Sequence, residues 1–345
     1  MNVFMPLAVA FLFTLCLTPV VKNIALRTGA VDRPGERTVH SGIMPRLGGL
    51  AIIAGFWTAV FLTQRMTSGL WGFFAGSMLI LAVGIWDDAV RVKPWMKLVF
   101  QVLAAVCVMA GGIQVSFVTN IFFGGVLPLG WIGYPMTLIW IVGVTNAVNL
   151  VDGLDGLAAG VSAIAALTIG VIAWMEGMQT MGMLALILAM SVLGFLKYNF
   201  YPAKIFMGDT GSLFLGYALS VLAIVGLTKT VTVISLFLPV VVLGIPILDT
   251  AYAIVRRYSS HKPIFSADKD HLHHRLMAVG LSHRNTVLVI YGVSAILGAS
   301  AVWISILSAA RGMIVMAVVT AAVFFLANRV GILSRKAIAS KPDAR

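Results

Sequence analysis

The stretch PMTLIWIVGVTNAVNLVDGLDGLAAGVSAIAALTIGVIAWM, residues 135–175, decides the fold of this chain. Two apolar runs, 135–151 and 157–175, are separated by almost no loop. Each run is long enough to cross the roughly 30 Å core of a bilayer as a helix. Asp152 and Asp155 lie in the short join between them. Carboxylates at a membrane boundary are costly unless they have partners, so their presence here predicts a functional site.

The rest of the chain has the same apolar character. Of its 345 residues, 60% are hydrophobic and 10% are charged, with a mean hydropathy of +1.01, whereas soluble proteins carry about 25% charged residues. We therefore predict an all-α, polytopic membrane protein with a single membrane-embedded domain over residues 1–345. About eleven spans are expected, near residues 3–21, 47–63, 70–86, 98–113, 135–151, 157–175, 181–196, 210–227, 232–254, 286–306 and 312–328.

Two further segments bear on the predicted spans. The first run has no charge ahead of its apolar stretch and no small-residue cleavage site, so we interpret it as a retained span rather than a signal peptide. The Gly-rich segment 114–134 is apolar and could form a hairpin or a re-entrant element on the outer side.

The cations are sorted to one side of this arrangement. With eleven spans, alternate connections lie on the same side of the membrane as the C-terminus. These connections hold 21 of the 24 Lys and Arg residues, in segments 22–46, 87–97, 197–209, 255–285 and 329–345. The opposite side holds Arg65, Lys229 and Arg311. Because Lys and Arg gather in cytoplasmic loops, the side of the C-terminus is predicted to be cytoplasmic, with the N-terminus outside. The net charge of +12 therefore indicates membrane topology rather than a nucleic-acid partner. The tail 329–345 is expected either to lie on anionic headgroups or to be disordered.

Other polar residues follow the same partition. All six histidines fall on the predicted cytoplasmic side, and of the twelve acids only Glu176 lies on the outer side. The positive-inside rule concerns Lys and Arg and does not explain the position of carboxylates. The grouping of acids and histidines on one side therefore indicates a single active face.

Two adjacent acids, Asp87 and Asp88, directly follow an apolar run. Neighbouring helix positions point about 100° apart, so the two carboxylates are expected to face different partners. Arg91 and Lys97 follow closely. Acids and cations around one membrane edge suit an anionic substrate together with a metal ion, although a solvated helix end is the simpler alternative.

A second cluster is NAVNLVDGLDG, residues 146–156. Asn149, Asp152 and Asp155 step by three, so on a helix they would line one face. Gly153 and Gly156 interrupt the helix where the backbone must turn or approach a ligand.

A third cluster is YNFYPAKIFMGDTGS, residues 198–212. Asp209 immediately precedes an apolar span, where it could cap the helix, bind a metal or do both. Phe206 is either ordinary packing or a surface on which a base could stack.

The fourth cluster lies in the long cytoplasmic loop 255–285, which reads DKDHLHHR at residues 268–275. Three histidines in four residues could bind a transition metal, but a zinc site needs further Cys or His partners nearby. Anion binding is favoured, because His271, His273, His274 and Arg275 can all donate to phosphate oxygens.

The types of ligand atom indicate the metal. Asp and Asn oxygens without thiols suit a hard ion such as Mg²⁺, which commonly bridges one or two carboxylates to substrate phosphates. The two cysteines, Cys16 and Cys107, lie in separate apolar runs and form neither a disulfide framework nor a ligand spacing. No P-loop sequence occurs, so a nucleotide would have to be held by the loops between helices.

Taken together and in this order, the four clusters resemble the polyprenyl-phosphate sugar-1-phosphate transferases, a branch of glycosyltransferase family 4. The resemblance extends from DRP at 32–34 and PRLGG at 45–49 to Arg275. Within the family, FSADKDHLHHRL at 265–276 is similar to the loop of the bacterial UDP-N-acetylglucosamine:undecaprenyl-phosphate branch. The sister branch that uses phospho-MurNAc-pentapeptide carries a Pro-Leu-His-His-His loop and a Pro-Thr-Met-Gly-Gly stretch, which this chain lacks.

The resemblance implies an activity and its partners. The expected reaction transfers N-acetylglucosamine-1-phosphate (GlcNAc-1-phosphate) from UDP-GlcNAc to undecaprenyl phosphate and releases UMP. This would begin an envelope glycan such as teichoic acid or O-antigen at the cytoplasmic face of the bacterial inner membrane. Mg²⁺ is the expected cofactor, for which Mn²⁺ could substitute. Another UDP-sugar and a homo-oligomer both remain open.

The resemblance also implies residue roles. Asp209 and Asn149 would bind the metal, and Asp87 and Asp88 would lie near the lipid phosphate, with Asp87 as its base or orienting group. Lys97 and Arg91 would lie near the phosphates, and Asp152 would contact substrate. Asp155, Asn199 and Phe206 would hold the uridine, and the three histidines with Arg275 would contact the sugar-phosphate end.

A secondary transporter is the main alternative from another class, since it also places acids among many helices. Transporters place ionisable residues near the bilayer midplane on broken helices. Here the acids are predicted at one membrane edge, which favours the enzyme.

Overall fold

A computed structural model describes residues 3–32, 42–119, 126–227, 237–259, 271–307 and 309–329. Residues 260–270 of the predicted substrate loop, and the basic tail beyond Arg329, lie outside the described residues. The described chain is nearly all-α, as predicted. Its helices are α1 (Phe4–Thr28), α2 (Gly49–Thr63), α3 (Ser68–Val90), α4 (Pro94–Ala110), α5 (Gly133–Val151), α6 (Leu157–Met175), α7 (Gln179–Asn199), α8 (Gly208–Leu227), α9 (Phe237–Val242), α10 (Gly244–Ser259), α11 (Leu272–Ala278), α12 (His283–Ser305) and α13 (Ala309–Arg329).

The helices have the dimensions of a multi-pass membrane protein. Among the described residues, seven helices are long and apolar enough to cross a bilayer: α1, α3, α5, α6, α7, α8 and α12. Shorter apolar helices occur at α2, at α4 and within α13. Ten of the predicted spans each coincide with one helix, and the largest boundary difference is at α1, which continues to Thr28.

The ninth predicted span, 232–254, is not a single helix in its described part. α9 ends at Val242 and α10 begins at Gly244. The break follows from Pro246, which has no N–H to donate to the carbonyl of Val242 and whose ring clashes with that carbonyl. α10 then runs on to Ser259, beyond the predicted end, and has Arg256 and Arg257 in its last turn.

Two pairs of short strands are the departures from the all-α prediction. β1 (Val31–Asp32) pairs antiparallel with β2 (Met44–Pro45). β3 (Phe117–Thr119) pairs antiparallel with β4 (Val126–Pro128), followed by a 3₁₀ turn at Gly130–Ile132. Of the two alternatives for segment 114–134, the strand pairing is that of a hairpin.

α8 is the central helix of the bundle and packs against α2, α3, α5, α6 and α7. Its side chains are almost all buried, including Phe214 and Tyr217, and the Tyr217 hydroxyl donates to the Phe73 carbonyl at 3.1 Å. At Gly216 the α8 backbone lies so close to α5 that a Cβ there would be 2.6 Å from Cα of Thr145. Small residues allow membrane helices to approach in this way.

α4 lies at the periphery and packs mainly against α3 and α5. Its 17 residues expose a continuous apolar face consisting of Trp95, Leu98, Val99, Leu103 and Val106. Such a face suits contact with lipid tails rather than water.

Exposed aromatic side chains cluster near both sets of helix ends. Trp86 and Trp95 lie near the end that carries the polar clusters, and Trp71, Trp131 and Trp303 lie near the opposite ends. Trp and Tyr are enriched at both membrane–water interfaces, so this distribution agrees with helices that cross a bilayer.

Replacing Gly216 with alanine should destabilise the bundle, because the added methyl group forces the α5 and α8 backbones apart. We expect Gly216→Ala to lower the free energy of unfolding by about 1–3 kcal/mol. Gly143→Ala is the matched control, since Gly143 on α5 is exposed and an added Cβ there meets nothing within 4 Å. Thermal unfolding in detergent compares the two variants, and equal melting temperatures would contradict the close packing.

Candidate active site

Lys97 joins two of the predicted site carboxylates. It lies in the first turn of α4, where its Nζ donates to Asp209 Oδ2 at 2.5 Å and contacts Asp87 Oδ2 at 2.9 Å. The second oxygen of Asp87 accepts a hydrogen bond from the Val92 amide at 2.7 Å. The end of α3, the start of α4 and the start of α8 therefore meet at a single ammonium group.

Asp88 has a different partner from Asp87, as its helical position predicts. Its Oδ1 accepts from the Asp209 amide at 2.9 Å, and its Oδ2 accepts from the Thr210 amide at 3.0 Å and from Thr210 Oγ1 at 2.7 Å. These hydrogen bonds cap the N-terminus of α8 from a residue of another helix, α3. Asp88 is buried. The carboxylate of Asp209 is left to face Lys97.

Arg46 is a site cation that the charge pattern did not single out. It follows β2, its side chain is 24% exposed, and its guanidinium lies 3.7 Å from Asp88 and 3.9 Å from Asp32. Backbone hydrogen bonds hold its segment against the start of α8, from Phe206 N to Pro45 O and from Gly49 N to Met207 O. The PRLGG and FMGDTG sequences are thereby adjacent in space.

Asn149 and the turn after α5 lie beside the start of α8. Asn149 Nδ2 donates to Ser212 Oγ at 2.8 Å, which leaves its amide oxygen for another partner. The chain leaves the helix at Asp152, so the three-residue spacing does not place Asp152 and Asp155 on a continuous helical face. Gly156 supplies the left-handed turn, φ 77°, from which α6 begins.

The carboxylate of Asp155 orders the neighbouring loop. Its Oδ2 accepts from the Ala203 amide at 2.9 Å, and its backbone N–H donates to His283 Nε2 at 3.0 Å. The ring of Tyr201 lies against that of His283, with centroids 4.7 Å apart. His283 was not among the predicted site residues, although its position in a cation-rich segment was a signal for it.

Asp152 has an unusual electrostatic environment. No hydrogen bond from the described residues reaches its carboxylate. Enclosure by the protein, and then the nearby charge of Asp209, raise the pKa of Asp152 to about 7, while Arg46 acts in the opposite direction.

The residues of the histidine segment, His271–Arg275, differ in how deeply they are buried. His271 and His273 are buried, their rings are parallel, and their centroids lie 5.9 Å apart. His273 lies against Gly153, and burial lowers its pKa to about 3, so this imidazole is neutral. His274 and Arg275 are half-buried. If His273 contacts phosphate as predicted, it therefore does so as a neutral imidazole.

Three further predicted residues are Arg91, Asn199 and Phe206. The Arg91 side chain is 84% exposed and lies 3.9 Å from Asp32. Asn199 is buried and its Nδ2 donates to the Ile205 carbonyl at 3.0 Å, which shapes the loop before α8. Phe206 is half-buried in that same loop. The predicted uridine contacts of Asn199 and Phe206 stay predictions.

A pair of amides lies one helical turn from Lys97 and Asn149. Gln101 on α4 and Asn146 on α5 exchange hydrogen bonds, from Asn146 Nδ2 to Gln101 Oε1 at 2.6 Å and from Gln101 Nε2 to Asn146 Oδ1 at 3.3 Å. Each amide satisfies the other within an apolar bundle, where an unpaired amide would be costly. The pair fixes the register of α4 against α5.

The oxygen donors fit a hard divalent cation. Within the described residues no group of three His, Cys, Asp or Glu side chains could hold a metal ion by itself. Asp87 and Asp209 nevertheless accept one cationic group between them, and Asn149 is hydrogen-bonded to Ser212, one helical turn after Asp209. Mg²⁺ is commonly held by one or two carboxylates and completed by substrate phosphates, and this donor set has that character.

The fold and the site define the class of this protein: a multi-pass helical membrane protein with carboxylates and cations gathered at one end of the bundle. Comparison with known proteins gives the family. Residues 70–227 match the model of Glycosyl transferase family 4.

Similar proteins extend the match over most of the chain. A probable undecaprenyl-phosphate N-acetylglucosaminyl 1-phosphate transferase of Bacillus subtilis is 43% identical over 85% of this chain and 82% of its own length. A decaprenyl-phosphate N-acetylglucosaminephosphotransferase of Mycobacterium tuberculosis is 35% identical, over 82% and 77%. An undecaprenyl-phosphate alpha-N-acetylglucosaminyl 1-phosphate transferase of Salmonella typhimurium is 29% identical, over 83% and 80%. The chain belongs to glycosyl transferase family 4.

Asparagine substitutions should separate the roles of two site acids. Asp88→Asn should lower the free energy of unfolding by about 1–3 kcal/mol, because an amide cannot accept from all the donors that surround Asp88. Asp152→Asn should instead leave stability unchanged or raise it, since it removes a charge that the folded state disfavours.

The Asp152→Asn effect should depend on pH. The folded-state pKa of Asp152 is raised from 3.8 to about 7, so its charge costs stability most above pH 7, and the gain from Asn should shrink as the pH falls toward 3.8. Melting temperatures in detergent with EDTA at pH 8 and pH 5.5 test both variants. Equal destabilisation by the two substitutions would contradict this assignment.

Proposed function

We propose that this chain transfers GlcNAc-1-phosphate from UDP-GlcNAc to undecaprenyl phosphate and releases UMP. The observation that carries the proposal is the contact of Lys97 with both Asp87 and Asp209 at the junction of α3, α4 and α8. That junction combines a cation for phosphate oxygens with carboxylates for a metal. Two of the three relatives are named as transferases to undecaprenyl phosphate and one as a transferase to decaprenyl phosphate, which supports the same substrate class.

The chemistry that we propose is a direct displacement at phosphorus. An oxygen of the lipid phosphate attacks the β-phosphorus of UDP-GlcNAc, and the bond from that phosphorus to the bridging oxygen breaks. UMP leaves with the bridging oxygen, and the lipid retains a diphosphate joined to GlcNAc. Positioning and charge neutralisation supply most of the catalysis in such transfers.

The chain's own residues divide this work. Lys97 binds phosphate oxygens as their charge shifts toward the leaving group. Both oxygens of Asp87 already accept hydrogen bonds, which favours the orienting role over that of a base. Asp209 and Asn149 would hold Mg²⁺, which would supply further neutralisation of phosphate charge. Arg46 lies close enough to the same centre to bind the diphosphate.

We also propose eleven membrane spans, with the polar end in the cytoplasm and the N-terminus outside. The support is the positive-inside distribution of Lys and Arg together with helices at the predicted positions. The membrane would then be the bacterial inner membrane, where a nucleotide sugar meets this site from the cytoplasm.

The enzyme assay tests the activity. Purified protein in detergent with UDP-GlcNAc, undecaprenyl phosphate and Mg²⁺ should release UMP, and EDTA should stop the release until Mg²⁺ is restored. Lys97→Met should lower kcat by about 100- to 1,000-fold, as expected for a lost charge-stabilising donor. Lys197→Met is the matched control, because Lys197 is exposed on α7 and should not change kcat.

Each outcome of this assay has a clear meaning. Absence of UMP release by the wild-type protein would overturn the proposed function. An equal rate with another UDP-sugar would overturn the assignment to GlcNAc. A labelled phospho-enzyme trapped in a single turnover would replace the direct route by a two-step route.

Cysteine labelling tests the topology. In a background without Cys16 and Cys107, a membrane-impermeant maleimide should label Ser68→Cys and Arg311→Cys in intact cells with an accessible outer surface of the inner membrane. Lys204→Cys and Asn285→Cys should react only after the membrane is opened. All four positions are exposed. The reverse pattern would contradict the orientation, and a mixed pattern would contradict the span count.

A further inference from the structure

Asp249 on α10 binds the beginning of α11 with both oxygens. Its Oδ2 lies 2.8 Å from His271 Nδ1, and its Oδ1 accepts from the Leu272 amide at 2.8 Å. Asp249 and His271 are both buried. One carboxylate thus fixes a histidine side chain and the adjacent backbone at the same time. None of the sequence motifs includes Asp249.

The chemistry of this contact determines the state of the His271 ring. An ionised carboxylate can only accept hydrogen bonds, so Nδ1 of His271 carries the proton. In the neutral ring Nε2 is then an acceptor, and in the protonated ring it is a donor. A carboxylate bound to one ring nitrogen is the usual means by which proteins select the tautomer and orientation of a working histidine.

The effect of Asp249 reaches the rest of the histidine segment. The ring of His273 is parallel to that of His271, and the ring of His274 lies 4.2 Å from that of His273. His273 also lies against Gly153, in the turn that carries Asp152 and Asp155. The placement of His271 therefore bears on how the whole segment faces the acidic turn.

We propose that Asp249 is a positioning residue, which acts through His271 to fix the histidine segment against the Asp152–Asp155 turn. This inference rests on the proposed function, since it assigns a role in that same transfer. Asp249 would touch no substrate itself. Its carboxylate would set the tautomer of His271 and hold α11 in the orientation in which His274 and Arg275 meet the sugar-phosphate.

The first test is Asp249→Asn. An asparagine side chain can accept from the Leu272 amide and donate to Nδ1, which forces the proton of His271 onto Nε2. We expect kcat to fall by about 10- to 100-fold, the usual effect of removing a partner that orients a functional histidine, with KM for UDP-GlcNAc changed by less than about threefold. A wild-type kcat in this variant would overturn the proposal.

A neighbouring position provides the control. Thr250 follows Asp249 on α10, and its Oγ1 is buried with no hydrogen-bond partner among the described residues. Thr250→Val should change kcat by less than about twofold, because no hydrogen bond is lost. A fall equal to that of Asp249→Asn would mean that kcat responds to any change of packing here, which would overturn the specific role.

A double-mutant cycle tests whether Asp249 acts through His271. In a His271→Gln background, Asp249→Asn should cause little further loss of kcat, since the two residues act as one unit. Additive losses would overturn the proposed route.

A spectroscopic measurement keeps the proposal testable even if the variants fold poorly. In wild-type protein labelled with ¹⁵N-histidine, the His271 signal, identified by its loss in His271→Gln, should show the proton on Nδ1. A proton on Nε2 would overturn the proposal. This result is independent of turnover, whereas absence of UMP release by the wild-type protein would overturn the proposed function instead.

Discussion

The contact between Asp88 and the first turn of α8 is the interaction on which the polar end of the bundle depends. Of the seven described helices long enough to cross a bilayer, α8 is the most enclosed, and its N-terminal amides would be left unsatisfied at the edge of an apolar core. Asp88 supplies the acceptors for Asp209 and Thr210 from α3. A carboxylate and a helix N-terminus that are each costly to bury alone thereby satisfy one another. This leaves the side chain of Asp209 free to meet Lys97.

Most of the helix pattern could be predicted because the bilayer restricts the possible structures. A backbone in hydrocarbon must satisfy its own hydrogen bonds, so an apolar run of sufficient length becomes a helix. The prediction was wrong where local chemistry overrides composition, as at Pro246, which divides the ninth span. The short strands at 31–32 and 44–45 carry no apolar signal, because they are defined by pairing with each other rather than by contact with lipid.

The sequence indicated which residues belong to the candidate site better than it indicated how their side chains contact one another. Charges at a membrane boundary identified Asp87, Lys97 and Asp209, but the sequence could not show that Asp88 caps a distant helix, since this depends on which helix ends meet. Arg46 and Asp249 were missed for the same reason. Asp249 did leave a signal, because it is an acid inside a predicted membrane span, and such acids usually have a specific partner.

The length of α4 has a consequence for the membrane itself. Its 17 residues rise about 25 Å, less than the roughly 30 Å of a hydrocarbon core. In the proposed topology, in which α4 is a span, local thinning of the bilayer would match its length at a cost of fractions of a kcal/mol per ångström. Such thinning beside Lys97 would bring headgroups deeper into the bilayer. An acceptor that is itself a membrane lipid would then have a shorter vertical distance to travel, so the shape of the bilayer contributes to its delivery.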